Sequence, residues 1–295
     1  MLVLALPGGA PLAAALARSL RCKWSELALH RYPDGETGVR IDAAVAGCAV
    51  VLAGSLNQPD AKTLPLVFAA DAARELGAVQ VGLVAPYLAY MRQDKRFHPG
   101  EAITSRSYAR LLSASLDYLV TVDPHLHRVH SLAEIYTLRT VVVPAAPLMA
   151  SWLRKHVTSP WVIGPDGESA QWVSEVARLA DAPWSILRKT RRGDRDVSVR
   201  IAGRQRWPGR VPVLIDDIIS TGETMLAAAG LLARTGRGAP ICIGVHALFD
   251  VAVERRLLEG GFSRVLTCDT VGHPSNAIHM APALAKAVRE LGAAA

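Results

Sequence analysis

No apolar run in this sequence reaches the roughly 18 residues that a membrane span requires. A secretory leader is not expected either. Met1 to Ala15 is apolar, but it has no basic start and no convincing cleavage site, and it merges into an amphipathic segment, Leu12–Leu20. The expectation is a soluble cytoplasmic protein. Cysteine is scarce: Cys22, Cys48, Cys242 and Cys268 form no CxxC pair, and three of them lie in apolar strand-like runs. That pattern reads as core thiols and speaks against a zinc cluster or a disulfide framework. A uniformly basic surface is also missing. The net charge is +7, yet residues 188–210 alone hold nine basic and two acidic side chains, and the remainder carries 24 of each sign. A broad nucleic-acid interface does not fit this distribution. One concentrated cationic segment suits a compact polyanion such as a nucleoside triphosphate; the plainer alternative is a solvated arginine-rich loop.

What is present is ample apolar surface. Hydrophobic residues make up 51% of the 295, too many for a disordered chain and enough for two α/β cores of about 140 residues each. Short runs rich in Val, Ile and Leu recur without alternation: Leu2–Leu6, Ala49–Ala53, Val81–Ala85, Tyr118–Val122, Val141–Val143, Trp161–Gly164, Val211–Ile215, Ile241–Val245 and Val265–Cys268. Such runs describe strands buried on both faces. Helical stretches fall between them: Thr63–Leu76, which sets Leu66, Ala69, Ala70 and Ala73 on one face, then Ser105–Ser115, Ala170–Ala180 and Thr224–Arg234. The alternation predicts an α/β protein with mainly parallel sheets flanked by helices. Strands near 49, 81 and 118 are echoed by strands near 211, 241 and 265, a loose internal repeat. Pro144–Pro147 marks the expected boundary between the halves. The stretch Thr190–Pro208 is polar and arginine-rich, and its length predicts a functional loop.

The densest chemistry lies in Val213-Leu214-Ile215-Asp216-Asp217-Ile218-Ile219-Ser220-Thr221-Gly222-Glu223-Thr224. An apolar strand delivers two adjacent carboxylates, a turn of small hydroxyl residues and a glycine follows, and a helix begins. Amides at a helix N-terminus lack intrahelical acceptors and sit at the positive dipole end, so the turn suits a phosphate. Gly222 lets the backbone come close. The carboxylates repel a phosphate, so they must face sugar hydroxyls or a metal ion. The alternative, a capped helix after a buried strand, leaves two consecutive acids without a purpose.

This run resembles the motif for phosphoribosyl pyrophosphate (PRPP) shared by type I phosphoribosyltransferases and PRPP synthases. Further segments are similar to those of the PRPP synthase, or ribose-phosphate pyrophosphokinase, family. Tyr32-Pro33-Asp34-Gly35-Glu36 is similar to the family's Phe-x-Asp-Gly-Glu; alone it reads as a turn. Tyr90-Met91-Arg92-Gln93-Asp94-Lys95 is similar to Tyr-Ala-Arg-Gln-Asp-Arg, and Glu101-Ala102-Ile103-Thr104 follows at the family's spacing. Thr121-Val122-Asp123-Pro124-His125, Gly164-Pro165-Asp166, Lys189-Thr190-Arg191, Val245-His246-Ala247-Leu248-Phe249 and Leu266-Thr267-Cys268-Asp269-Thr270 each have a counterpart in the same order. One departure is Gly167-Glu168-Ser169, where many members carry small residues and two glycines; an extra acid there would alter metal or phosphate binding.

The resemblance implies two phosphoribosyltransferase-like domains, residues 1–144 joined by a tail of about 281–295, and residues 145–280. It implies magnesium-dependent transfer of pyrophosphate from ATP to C1 of ribose 5-phosphate, giving PRPP and AMP. Asp216 and Asp217 would hold the ribose hydroxyls, and Ser220, Thr221, Gly222, Glu223 and Thr224 the 5-phosphate. Tyr32, Asp34, Glu36, Arg92, Gln93 and Asp94 would contact ATP. Asp34 and Glu36 would reach a neighbouring subunit's ATP, which makes the protein a homo-oligomer, a dimer or hexamer. His125 and Asp166 would attend the magnesium, although histidine is an unusual ligand for it and a phosphate or water-mediated contact is the second reading of His125. Lys189 and Arg191, at the start of a flexible catalytic loop, would stabilise the transferring group. Neither nucleic acid nor a membrane is expected as a partner. Two rivals stand beside this reading: a phosphoribosyltransferase that consumes PRPP, and a non-catalytic regulatory relative of PRPP synthase.

Overall fold

The computed structural model describes the chain apart from residues 127, 168, 193–195, 202–208, 235–237 and 294–295, and describes the backbone alone at 188–192, 196–201 and 293. The chain forms two compact units, Met1–Val143 with Ala281–Ala295, and Pro144–Met280.

The first unit is built on a seven-stranded sheet. Its strands are β1 (Leu2–Ala5), β2 (Lys23–Arg31), β3 (Thr37–Ile41), β4 (Ala49–Ala53), β5 (Gln80–Val84), β6 (Tyr118–Val122) and β7 (Arg139–Val143), in the spatial order β3-β2-β1-β4-β5-β6-β7. All neighbours run parallel except β2 and β3, which form an antiparallel hairpin at one edge. Helices α1 (Ala10–Leu20), α2 (Asp60–Glu75) and α3 (Thr104–Ser115) make the crossovers, and a short 3-10 turn (Leu132–Glu134) precedes β7. The central strands are apolar on both faces because helices cover both faces. Val3, Leu4, Val50, Val51, Leu52, Leu83 and Val120 are fully buried.

The second unit repeats this plan. Its strands are β8 (Pro160–Gly164), β9 (Trp184–Arg192), β10 (Asp196–Ile201), β11 (Val211–Ile219), β12 (Ile241–Ala247), β13 (Arg264–Cys268) and β14 (Asn276–Ile278), with helices α4 (Ala146–His156), α5 (Ala170–Ala180), α6 (Glu223–Ala233) and α7 (Val251–Glu259). The spatial order is β10-β9-β8-β11-β12-β13-β14, the order of the first sheet advanced by seven. Again only the edge hairpin, β9 with β10, is antiparallel. The loose repeat read from the sequence is thus a full correspondence of topology.

Within Thr190–Pro208, expected as a loop, residues 190–192 and 196–201 are strand, and the remainder of that expectation lies outside the described residues. The backbone of β9 continues through Arg192 and pairs with β10, Val199 opposite Lys189 and Val197 opposite Arg191. A last helix, α8 (Ala281–Ala293), returns to the first unit and packs on α1, β6 and β7. Leu284, Ala285 and Val288 are buried there; Arg139 donates to the Leu291 carbonyl at 3.3 Å and Arg289 to the Ser19 carbonyl at 2.9 Å. All four cysteines are free thiols, with Cys242 and Cys268 buried. Among the described residues no helix is long and apolar enough to cross a membrane.

Candidate active site

In the second sheet the chain leaves β8 toward the hairpin edge, then returns to β11 and proceeds toward the other edge. The strand order reverses between β8 and β11. In such sheets the crevice beyond the carboxyl ends of these two strands is the natural ligand site. Acids lie near the carboxyl ends of both strands. β11 runs four residues past Ile215, so Asp216 and Asp217 lie within its last turn of pleat and belong to the ladder, with Asp216 opposite Gly244 of β12. The Asp217 amide donates to Asp216 Oδ1 at 3.0 Å, and the Ile218 amide to Asp217 Oδ1 at 2.8 Å. Asp166 follows β8 and is exposed. Its carboxylate accepts from the Ser169 amide at 3.2 Å, and its carbonyl accepts from Ser169 Oγ at 2.7 Å. Asp216 feels the other two acids. The Asp216 carboxyl is pushed up to about 8, first by burial and then by the charges of Asp217 and Asp166.

The turn that follows β11 is open at the front and braced at the back. Gly222 has φ +76°, and it offers no side-chain cap to α6. The Glu223 amide meets Thr221 Oγ1 only at a long 3.5 Å. Helix α7 stands behind. A Cβ added at Gly222 would lie 3.2 Å from both Leu257 and Val253. Arg256 of α7 donates to the Thr221 carbonyl and, at 2.9 Å, to Glu223 Oε1. Ser220 is half-buried, while Thr221, Glu223 and Thr224 are exposed.

Two segments of the second unit prove to be architecture. His246, on β12, is buried and its Nδ1 lies 2.9 Å from Thr270 Oγ1, whose proton goes to the Val245 carbonyl at 2.6 Å. This relay makes Nδ1 the donor and ties β12 to the loop after β13.

In the first unit, the Tyr90–Lys95 segment is a tight turn with two faces. Tyr90 has φ +63°, and its hydroxyl donates to Asp60 Oδ1 at 2.5 Å, which raises its own pKa to about 12. Met91 and Asp94 point inward and are buried; Arg92 and Gln93 are exposed. Asp94 is paired with Arg128, accepting from Nη1 at 2.9 Å and from the amide at 3.3 Å, with side-chain exposures of 3% for the acid and 53% for the arginine. Asp94 thus anchors the turn from within. Gln93 Oε1 accepts from Thr104 Oγ1 at 2.6 Å, which connects the turn to the start of α3. The Tyr32–Glu36 segment is the tip of the β2–β3 hairpin. Tyr32 is 47% exposed and stacks edge-on with His30; Gly35, with φ +93°, closes the turn, and the Glu36 amide donates to Asp34 Oδ1 at 3.1 Å. His125, after β6, is half-buried.

Lys189 and Arg191 have their backbone in β9, but their side chains lie outside the described residues, as do Glu168 and His127 entirely. Among the described residues no three His, Cys, Asp or Glu side chains come close enough to hold a metal ion by themselves. Sequence reasoning missed Arg128 and Arg256. Neither belongs to a motif segment, and both act across 30 or more residues of sequence, so no local signal marks them.

Comparison with known proteins agrees across both units. A family model for the N-terminal domain of ribose phosphate pyrophosphokinase matches residues 1–115, and one for the phosphoribosyl transferase domain matches residues 131–286. The chain is 36% identical over 298 residues to a ribose-phosphate pyrophosphokinase of Methanopyrus kandleri, covering 99% of each. It is 32% identical over 278 residues to a ribose-phosphate pyrophosphokinase of Halobacterium salinarum, covering 94% of this chain and 96% of that one. The crystal structure of phosphoribosylpyrophosphate synthetase from Mycobacterium smegmatis has a TM-score of 0.85 and 24% identity, with coverage of 100% and 99%, and shares the fold. Matched end to end by relatives of one kind, the chain belongs to the ribose-phosphate pyrophosphokinase family.

Proposed function

We propose that this chain transfers the β,γ-diphosphate of ATP to the 1-hydroxyl of ribose 5-phosphate. The oxygen of that hydroxyl bonds to the β-phosphorus and releases its proton to solvent, the bond from that phosphorus to the α-phosphate oxygen breaks, AMP leaves and PRPP forms. The observation that carries this reading is the pairing of two strand-end carboxylates with an uncapped turn at the β8–β11 switch point, in a chain whose relatives of that name match it over its full length. The turn's amides and hydroxyls would bind the 5-phosphate. Asp217 and Asp216 would accept hydrogen bonds from the ribose hydroxyls and so fix the sugar ring. Arg92 and Gln93, turned outward by the buried Asp94 and Met91, would meet ATP. The exposed hairpin tip with Tyr32, Asp34 and Glu36 would complete the ATP site of a neighbouring subunit in a homo-oligomer, dimer or hexamer.

The donor set fits a hard divalent cation. Asp216, Asp217 and Asp166 supply only oxygens, the donor type such a cation prefers. We assign Mg²⁺ to the nucleotide phosphates, with Asp166 as its attendant in the second unit and His125 as a candidate attendant in the first; few protein ligands are needed when phosphates supply the others. Bound there, the ion would neutralise phosphate charge. Lys189 and Arg191 would stabilise the charge of the transferring group, because such transfers depend mainly on positioning and electrostatics.

The test is AMP and PRPP formation from ATP, ribose 5-phosphate and magnesium, with a Lys189→Ala variant alongside. The parent should form both products, and the variant should lose about 10²-fold or more in kcat. Absence of AMP under varied metal and phosphate would sink the assignment.

A further inference from the structure

Arg256 lies in none of the motif segments, yet it touches the turn at two points. Helix α7 is fixed at its start by Asp250, whose carboxylate accepts from the Val253 amide at 3.0 Å, and it presents Val253 and Leu257 to Gly222. One guanidinium nitrogen, Nη2, reaches both the Thr221 carbonyl and Glu223 Oε1. The peptide joining Thr221 to Gly222 is planar and trans, so its carbonyl and its N–H point in opposite directions. A guanidinium that holds the carbonyl on the α7 side therefore turns the Gly222 N–H away from α7. The φ of +76° at Gly222 then carries the chain into α6, whose first amides follow. Glu223 is the one acid inside the turn, and its pairing with Arg256 draws that charge aside.

We propose that Arg256 is a positioning residue for the 5-phosphate of the sugar substrate: it sets the Gly222 N–H toward the anion and removes the Glu223 carboxylate from the anion's approach. It touches no substrate itself. This rests on the reading above, in which the turn binds ribose 5-phosphate. A purely structural role is a poor alternative, since the side chains of Arg256 and Glu223 are 48% and 72% exposed, and ion pairs so exposed add little to stability.

The experiment compares the full-length parent with Arg256→Ala and Arg256→Lys, measuring KM for ribose 5-phosphate, KM for ATP, kcat, direct calorimetric binding of ribose 5-phosphate, and the melting temperature. Loss of a charge-assisted bond that presets the turn should weaken ribose 5-phosphate about 10- to 100-fold in Arg256→Ala. KM for ATP should stay within about 2-fold, and the melting temperature within about 4 °C. Arg256→Lys, which keeps a donor for the carbonyl, should recover most of the affinity. Equal rises in both KM values, or unchanged ribose 5-phosphate affinity, would overturn the proposal. If Arg256→Ala fails to fold, Arg256→Gln takes its place: weakened ribose 5-phosphate binding with KM for ATP held supports the proposal, and unchanged ribose 5-phosphate affinity overturns it. A parent that binds no ribose 5-phosphate refutes the reading of the turn; a parent that binds while Arg256→Ala binds equally well refutes only the role of Arg256.

Discussion

Asp216 carries a charge that its surroundings resist, and this makes it the most informative single residue for pH work. Its carboxyl is raised by burial and by its acidic neighbours, so the folded chain holds the proton more tightly than the unfolded chain does. The stabilising effect of that proton is complete below the unfolded value of about 4. It is lost as pH rises through the folded value of about 8. Asp216→Asn removes this slope while keeping an oxygen for the Asp217 amide. The variant should therefore melt above the parent at pH 8 and near it at pH 4, with the gap widening between, in the absence of magnesium. PRPP formation should fall by about 10²-fold or more in the same variant, since the neutral amide is a weaker partner for sugar hydroxyls and cation. Equal melting differences at both pH values would contradict the assigned cause.

The turn that presents Arg92 and Gln93 is better understood as an element than as separate residues. Its conformation is held by a positive φ at Tyr90, by Tyr90 on Asp60, by Gln93 on Thr104 and by Arg128 on the buried Asp94. Arg128→Ala leaves Asp94, among the described residues, with the backbone amide at 3.3 Å. It should cost about 1–2 kcal/mol in denaturant titration, and should raise KM for ATP while KM for ribose 5-phosphate is held. Other elements show where sequence reasoning reaches and where it stops. All nine apolar runs are strands, because a strand covered on both faces needs apolar residues throughout. The five strands not foreseen are β2, β3, β9, β10 and β14. In β2 only Leu27 is buried, and β9 ends in a run of basic residues. Strands at or next to a sheet edge take their conformation from the neighbours they pair with, and their own composition says little. The same holds at the site. Asp216 to Thr224 stood out as a motif because its residues are adjacent in sequence. The Arg256 brace and the Arg128 anchor come from distant helices and loops, and only folding reveals them.

Across the whole molecule, the first unit owes part of its core to residues that come after the second unit in sequence. Leu284, Val288 and Leu291 of α8 are buried against the first sheet and α1. At about 1.5–3 kcal/mol for each such side chain, their loss approaches the whole stability of an ordinary domain. A chain ending at Met280 should therefore lose amide-exchange protection in β1, β4 and β6 while β11 and β12 keep theirs. Uniform loss, or none, would show that α8 is not an internal part of the first unit. The same arrangement has a consequence for birth on the ribosome. Residues 144–280 emerge before α8 does, so the second unit can complete its core while the first still waits for its last helix. The half that is made first is finished last. Until then the half-made chain carries a sheet with one bare apolar flank, the state in which nascent proteins most need protection from one another.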